Sequence, residues 1–220
     1  MEEYKGYKLY FEDRNYKKIL EDIIEKNFQV EKEYKNDNRT YVAKIKYNGK
    51  NYILKKFYIR KPLKKFLSIF KEGESIRTFK NISNFIKKIP ELAKIYGAVI
   101  KRKGIFIEEE FVLMEYIEGN ILIDDKNCRR ILESVKKIHK LGRFHGDCNP
   151  YNFIYDRDNK VRILDTKLKK MNFGNYRAHY DILTLFKHFK NKPEYPYKKS
   201  IFYEIAFIVR QYRNNKGEKE

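Results

Sequence analysis

The chain has 220 residues, enough for one domain or two tightly joined lobes with a buried core. A hydrophobic content of 42%, with 19 Tyr and 16 Phe, excludes a globally disordered chain. The net charge of +20, from 50 Lys and Arg against 30 Asp and Glu, suits a polyanionic partner such as a nucleotide, a nucleic acid or acidic lipid head groups.

The charge by itself names no partner, because the excess of lysine over arginine also fits the drift of an AT-rich genome. The opening "MEEYKGYKLYFEDRNY" is acidic and polar and does not read as a secretory signal. No apolar run approaches the ~20 residues needed to span a bilayer, so a soluble protein is expected. Cys128 and Cys148 lack metal-ligand spacing and suggest a reducing cytoplasm without a disulfide framework.

Between Gln29 and Phe57 the chain alternates as strands do: "QVEKEYK", the polar loop "NDNRT", "YVAKIKY", the turn "NGK" and "NYILKKF". Asn48-Gly49 between two alternating runs predicts a hairpin, so three antiparallel strands precede residue 60. In "RKPLKKFLSIFK", Leu63, Phe66, Leu67 and Phe70 fall at helical spacing beside Lys61, Lys64, Lys65 and Lys71. That basic amphipathic stretch predicts either packing on the strand-rich part, the reading favoured here, or an anionic membrane surface docked through residues 60–71. Ile76, Phe79 and Ile82 predict a further helix or a bent continuation. "AKIYGAVIKRKG" and "FVLMEYIEG" predict another strand pair. Cys128, Ile131, Leu132, Val135 and Ile138 form the stripe of one helix from Asp125 to Leu141. "NFIYDRDNKVRIL" reads as a short hairpin, and the remainder is mostly helical to a frayed tail, "RNNKGEKE". The expected class is α+β with segregated lobes.

One polar constellation stands out, "HGDCNPYNFIYD" followed by "VRILD". Asp147 and Asn152 sit in a loop between a helix and a strand, and Asp165 follows the next strand. Singly, such residues are ordinary turn formers. Together, the neutral oxygen of Asn152 and the carboxylate of Asp165 are hard donors suited to Mg²⁺ shared with substrate phosphates. Asp147 is then left to accept a proton from an attacking hydroxyl.

At this point the chain resembles the protein-kinase-like superfamily, collinearly over about residues 25–210. "HGD" with Asn152 beyond it looks like the catalytic loop, H-x-D-x-x-x-x-N, and "ILD" looks like the strand before the metal-binding Asp. The resemblance implies ATP and Mg²⁺ as cofactors. It also implies Lys55 of "NYILK" as the lysine that grips nucleotide phosphates, with Lys56 on the opposite face. "KEGESIRTF" resembles the helix carrying that lysine's glutamate, with Glu72 preferred to Glu74. "LMEYIEG" looks like the hinge, implying that the Glu115 carbonyl and the Ile117 amide bind adenine. His145 is implied as structural support, and Asp181 as a buried helix residue bracing the loop. The implied fold is a two-lobed kinase-like one, with a small antiparallel-sheet N-lobe through the hinge strand (1–116), a mostly helical C-lobe (117–212) and a disordered tail (213–220). His139 and His188 are read as surface or packing residues, and Cys148 as no nucleophile.

The departures are equally specific. "KNDNRT" has no glycine where the family covers the phosphates, and Asn38, Thr40 and their amides could substitute only in part. "DTK" lacks the usual phenylalanine and glycine, Gly146 precedes Asp147 in place of arginine, and Asn149 stands where a lysine is usual. The stretch between Asp165 and Asp181 is too short for a regulated peptide-docking segment.

Within the superfamily, "KEG", "MEYIEG" and "HGDCNPYNF…VRILD" look most like bacterial lipopolysaccharide core heptose(II) kinases. That likeness implies transfer of the ATP γ-phosphate to an inner-core heptose hydroxyl at the cytoplasmic face of the inner membrane. The acceptor would be the core oligosaccharide on lipid A; nucleic acid is not an expected partner. Two alternatives stay open: a minimal Rio-type protein kinase, and a pseudokinase-like module binding RNA or lipid.

Overall fold

Strand alternation and left-handed turn residues build most of the first half of the chain. The computed structural model describes residues 1–59 and 62–217, without the side chains of 62–64 and 214–217. Lys61, the side chains of Leu63 and Lys64, and tail residues 218–220 therefore lie outside the described residues. Contacts divide the chain into two units, one of residues 1–87 and 93–116, the other of 88–92 and 117–220. The class is α+β, with a sheet-rich first unit and a more helical second.

The first unit holds one seven-stranded antiparallel sheet. Its strands are β1 (Glu2–Tyr4), β2 (Tyr7–Phe11), β3 (Gln29–Asn36), β4 (Thr40–Tyr47), β5 (Lys50–Phe57), β6 (Ile95–Lys103) and β7 (Phe106–Glu115). They lie in the order β1-β2-β6-β7-β5-β4-β3. Asn48 and Gly49 both have positive φ, the geometry of the tight turn that closes Tyr47 onto Lys50. Lys5 and Gly6 repeat this turn between Tyr4 and Tyr7. Helix α1 (Asn15–Ile24) buries Ile19, Leu20 and Ile23 against Leu9, Ala43, Ile45, Leu54, Val99, Phe111 and Leu113. It comes so close to β6 that a Cβ on Gly97 would lie 2.7 Å from Leu20 Cδ1.

The basic stretch forms a short helix, α2 (Pro62–Leu67), ending in a tight turn at Ser68–Phe70. The favoured expectation that its stripe packs inward is corrected here: Phe66 is 57% exposed, Leu67 39% and Phe70 78%. Ser68, between them, is buried. Helix α3 (Glu74–Phe85) buries Ser75, Ile76, Phe79 and Ile82 as its periodicity predicts.

In the second unit, α4 (Cys128–Lys140) buries Cys128, Ile131, Leu132, Val135 and Ile138. The short strand β8 (Gly119–Ile121) joins the hairpin of β10 (Phe153–Asp156) and β11 (Val161–Ile163) in a three-stranded sheet. Two-residue strands β9 (Arg143–Phe144) and β12 (Lys169–Lys170) pair with each other. Residues 88–92 belong to this unit because Ile163 N–H donates to the Glu91 carbonyl at 2.8 Å and Leu92 bridges Ile163. Helices α5 (Tyr176–Phe186) and α6 (Ile201–Gly217) complete it. Helix α6 runs to Gly217.

Candidate active site

Alternation along β5 separates the two lysines of "ILKK". Lys55 is paired with Val42 and Val112, whereas Leu54 and Lys56 share the face of Leu113 and Phe111, the face covered by α1. Lys56 Nζ donates to Glu109 Oε1 at 3.2 Å. Lys55 faces the other way, with its Nζ 5.6 Å from the centre of the Phe57 ring.

That second face also carries Ile100 and Glu110, where α3 begins. Gly73, at φ +113°, fits so tightly that a Cβ would lie 2.6 Å from Ile100 Cδ1 and 2.9 Å from Glu110 Oε2. Buried Glu110 accepts the Ser75 N–H at 2.9 Å and the Ser75 hydroxyl at 3.0 Å, which caps α3 from a neighbouring strand. Burial nevertheless raises its pKa above the ordinary carboxylate value. Sequence reasoning missed this cap, because nothing local in "IEEEF" marks which carboxylate turns inward.

The placement of Glu72 on the helix is corrected. Glu72 precedes Gly73 and pairs with Lys80, while Glu74 opens α3 and pairs with Arg77. The apolar spacing that favoured Glu72 continues past a glycine whose φ of +113° is incompatible with helix. In the β3–β4 turn, Asp37 Oδ1 accepts the amides of Arg39 and Thr40, each at 2.7 Å, so of the donors expected there the Thr40 amide is engaged by a carboxylate. The same two bonds lower the Asp37 pKa to about 2. At the end of β7, Glu115 N–H donates to the Lys94 carbonyl at 2.9 Å, and its Oε2 accepts the Lys94 N–H at 3.0 Å. Ile117 begins the second unit's main stretch.

The polar loop of the second unit is held from beneath. Asp181 on α5 is buried and accepts two loop amides, His145 N–H at 2.6 Å and Gly146 N–H at 3.0 Å. His139 Nε2 lies 3.1 Å from the same carboxylate, and its Nδ1 lies 2.6 Å from the Tyr197 hydroxyl. His139 is thus a packing residue, as one of the two expectations had it, and a member of the brace. His145 is fully buried and its ring packs tilted against Phe153, with ring centres 5.1 Å apart. Burial lowers its pKa, so a neutral ring can accept the Asp147 N–H on Nδ1 at 3.4 Å. Its carbonyl accepts the Lys167 N–H at 2.9 Å and the Thr166 hydroxyl at 3.3 Å. The neighbouring Cys148 is buried, which pushes its thiol well above the ordinary range.

Two bonds tie together the backbone positions of the three oxygen-bearing residues. Asn152 Nδ2 donates to the Asp147 carbonyl at 2.8 Å, which leaves Oδ1 as a neutral oxygen donor. Leu164 N–H donates to the Asn152 carbonyl at 2.7 Å, so Asn152 and Asp165 share the same end of the β10–β11 hairpin. Asp165 turns there with φ +44°, a left-handed geometry that Asp tolerates better than most residues. Asp147 and Asp165 are exposed and Asn152 half-buried. An amide oxygen and a carboxylate set at one hairpin end fit a hard divalent cation. Lys167, not singled out in the sequence, lies over the loop. A Cβ on Gly146 would lie 3.2 Å from Lys167 Cδ.

Comparison with known proteins gives a consistent result. Residues 1–215 match the family described as lipopolysaccharide core biosynthesis protein (WaaY). The chain is 28% identical over 172 residues, 74% of each sequence, to the lipopolysaccharide core heptose(II) kinase WaaY of Escherichia coli. It is 26% identical over 171 residues, 73% of each, to the protein of the same name from Escherichia coli strain K12. A shorter match, 32% over 80 residues, covers 30% of this chain and 17% of the serine/threonine-protein kinase cds1 of Schizosaccharomyces pombe.

Proposed function

The chain belongs to the lipopolysaccharide core biosynthesis (WaaY) family and is a kinase, and from that premise we propose that it phosphorylates a sugar hydroxyl, a heptose of the lipopolysaccharide inner core. ATP and Mg²⁺ use follows from the kinase class. The observation that carries the reading is the hairpin-end cluster of Asp147, Asn152 and Asp165, held by the Asn152–Asp147 bond and the Asp181 brace.

In this reading Asp147 accepts the proton of the acceptor hydroxyl as its oxygen attacks the γ-phosphorus. The bond from that phosphorus to the β–γ bridging oxygen breaks, and ADP leaves. Asn152 and Asp165 would hold Mg²⁺, whose role when bound is to neutralise phosphate charge. Lys55 grips the nucleotide phosphates, and Glu74, at the start of α3, takes the partner role first assigned to Glu72. The Glu115 carbonyl and Ile117 amide receive adenine. Lys167, whose side chain packs over Gly146, would supply the cation that Asn149 lacks in place of the usual lysine, which favours the charge that builds up during transfer. General-base catalysis is typically worth ~10²–10⁴ in rate.

The test is transfer of label from γ-labelled ATP to dephosphorylated core oligosaccharide, with Asp147→Asn alongside. Transfer to the sugar is expected, with loss of at least ~10²-fold in the variant and unchanged Mg-ATP binding. Full activity of Asp147→Asn removes that residue as base. Label entering only protein replaces the sugar kinase with a minimal protein kinase.

A further inference from the structure

We infer that the tip formed by α2 and the β6–β7 turn is a docking surface for an anionic lipid bilayer. Phe66 and Phe70 are more than half exposed, with ring centres 6.3 Å apart, and Leu67 is exposed beside them. Ile105, in the β6–β7 turn, is 58% exposed. Arg102 ties the two segments together, as its guanidinium donates to the carbonyls of Ser68 (3.4 Å), Ile105 (2.8 Å) and Lys71. Ser68 Oγ accepts the Ile107 N–H at 3.4 Å. The exposed apolar residues therefore sit on one clamped scaffold.

Charge selects the occupant. The nearby carboxylates are engaged by other lysines, Glu72 by Lys80 and Glu108 by Lys101. Lys65, Lys71 and Lys103, all exposed, leave the tip net positive. Exposed apolar side chains next in sequence to exposed lysines suit a bilayer, where rings enter the acyl boundary and ammonium groups stay with head-group phosphates. The inference rests on residues other than those of the catalytic loop and does not depend on the acceptor's identity.

Vesicle co-sedimentation tests it, with full-length protein and vesicles of phosphatidylcholine alone or mixed with phosphatidylglycerol. Binding is expected only to the anionic vesicles, weakening as salt rises. Phe66→Ser with Phe70→Ser and Ile105→Ser, and separately Lys65→Glu with Lys71→Glu and Lys103→Glu, should each lower binding about tenfold or more, the first by removing apolar area from the acyl boundary and the second by reversing the attraction to anionic head groups. Melting temperature and Mg-ATP binding should stay unchanged, which separates docking from loss of the fold or of nucleotide binding. Equal sedimentation of either variant and the parent overturns the inference. So does failure of the parent to bind anionic vesicles, which would assign the face to a protein partner.

Discussion

Asp181 shows how one buried carboxylate can set the geometry of exposed ones. It receives two consecutive loop amides and faces His139, so it holds the backbone from which Asp147 projects. An asparagine there would present an N–H toward donors. Asp181→Asn is expected to lower kcat far more than it raises the KM for ATP, and to cost about 1–3 kcal/mol of stability. Steady-state kinetics and denaturant melts would check both; an unchanged kcat would remove the bracing role. Glu110 makes a prediction about pH. Burial raises its pKa, so its contribution to stability is full at acid pH and is lost as pH rises through the folded-state value. Glu110→Gln keeps an acceptor for Ser75 but cannot ionise. Melting temperatures should therefore rise in the variant relative to the parent between pH 4 and pH 8, and a pH-independent difference would contradict the argument.

At the scale of elements, a single carboxylate organises the β3–β4 turn. Asp37 binds the amides of Arg39 and Thr40, and its pKa is depressed to about 2. These bonds should persist above the ordinary Asp value and fail as pH falls toward about 2. Amide shifts of Arg39 and Thr40, followed by NMR, should titrate with that acidic midpoint; a midpoint near 4 would mean the bonds contribute little. The α3 start depends on Gly73, whose φ of +113° and crowded Cβ position admit no side chain without movement. Gly73→Ala is expected to destabilise the fold by about 1–3 kcal/mol, measurable by urea unfolding. The strand β8 was invisible in the sequence because it is short and is defined by β10. Gly119 lies so close to that strand that a Cβ would fall 1.8 Å from the Tyr155 carbonyl oxygen.

For the whole molecule, the unforeseen part is the amino-terminal hairpin and α1. Leu9, Ile19, Leu20 and Ile23 are buried in the core of the first unit. At about 1.5–3 kcal/mol each, their burial contributes roughly 6–12 kcal/mol, a large share of the ~5–15 kcal/mol that holds a domain together. Deleting residues 1–27 should therefore abolish cooperative unfolding of that unit, as circular dichroism melts would report. The sequence alone determined the α+β class, the β3–β4–β5 strands, the stripes of α3 and α4, and the ordered polar residues of the loop. These follow from local periodicity, turn chemistry and spacing, which each segment carries within itself. Tertiary structure alone decided that β1 and β2 extend the sheet and that Glu110 caps α3. It also exposed Phe66 and Phe70 and moved Glu72 off the helix. Those outcomes depend on which distant backbone groups and surfaces meet, and no short window of residues encodes its own partner.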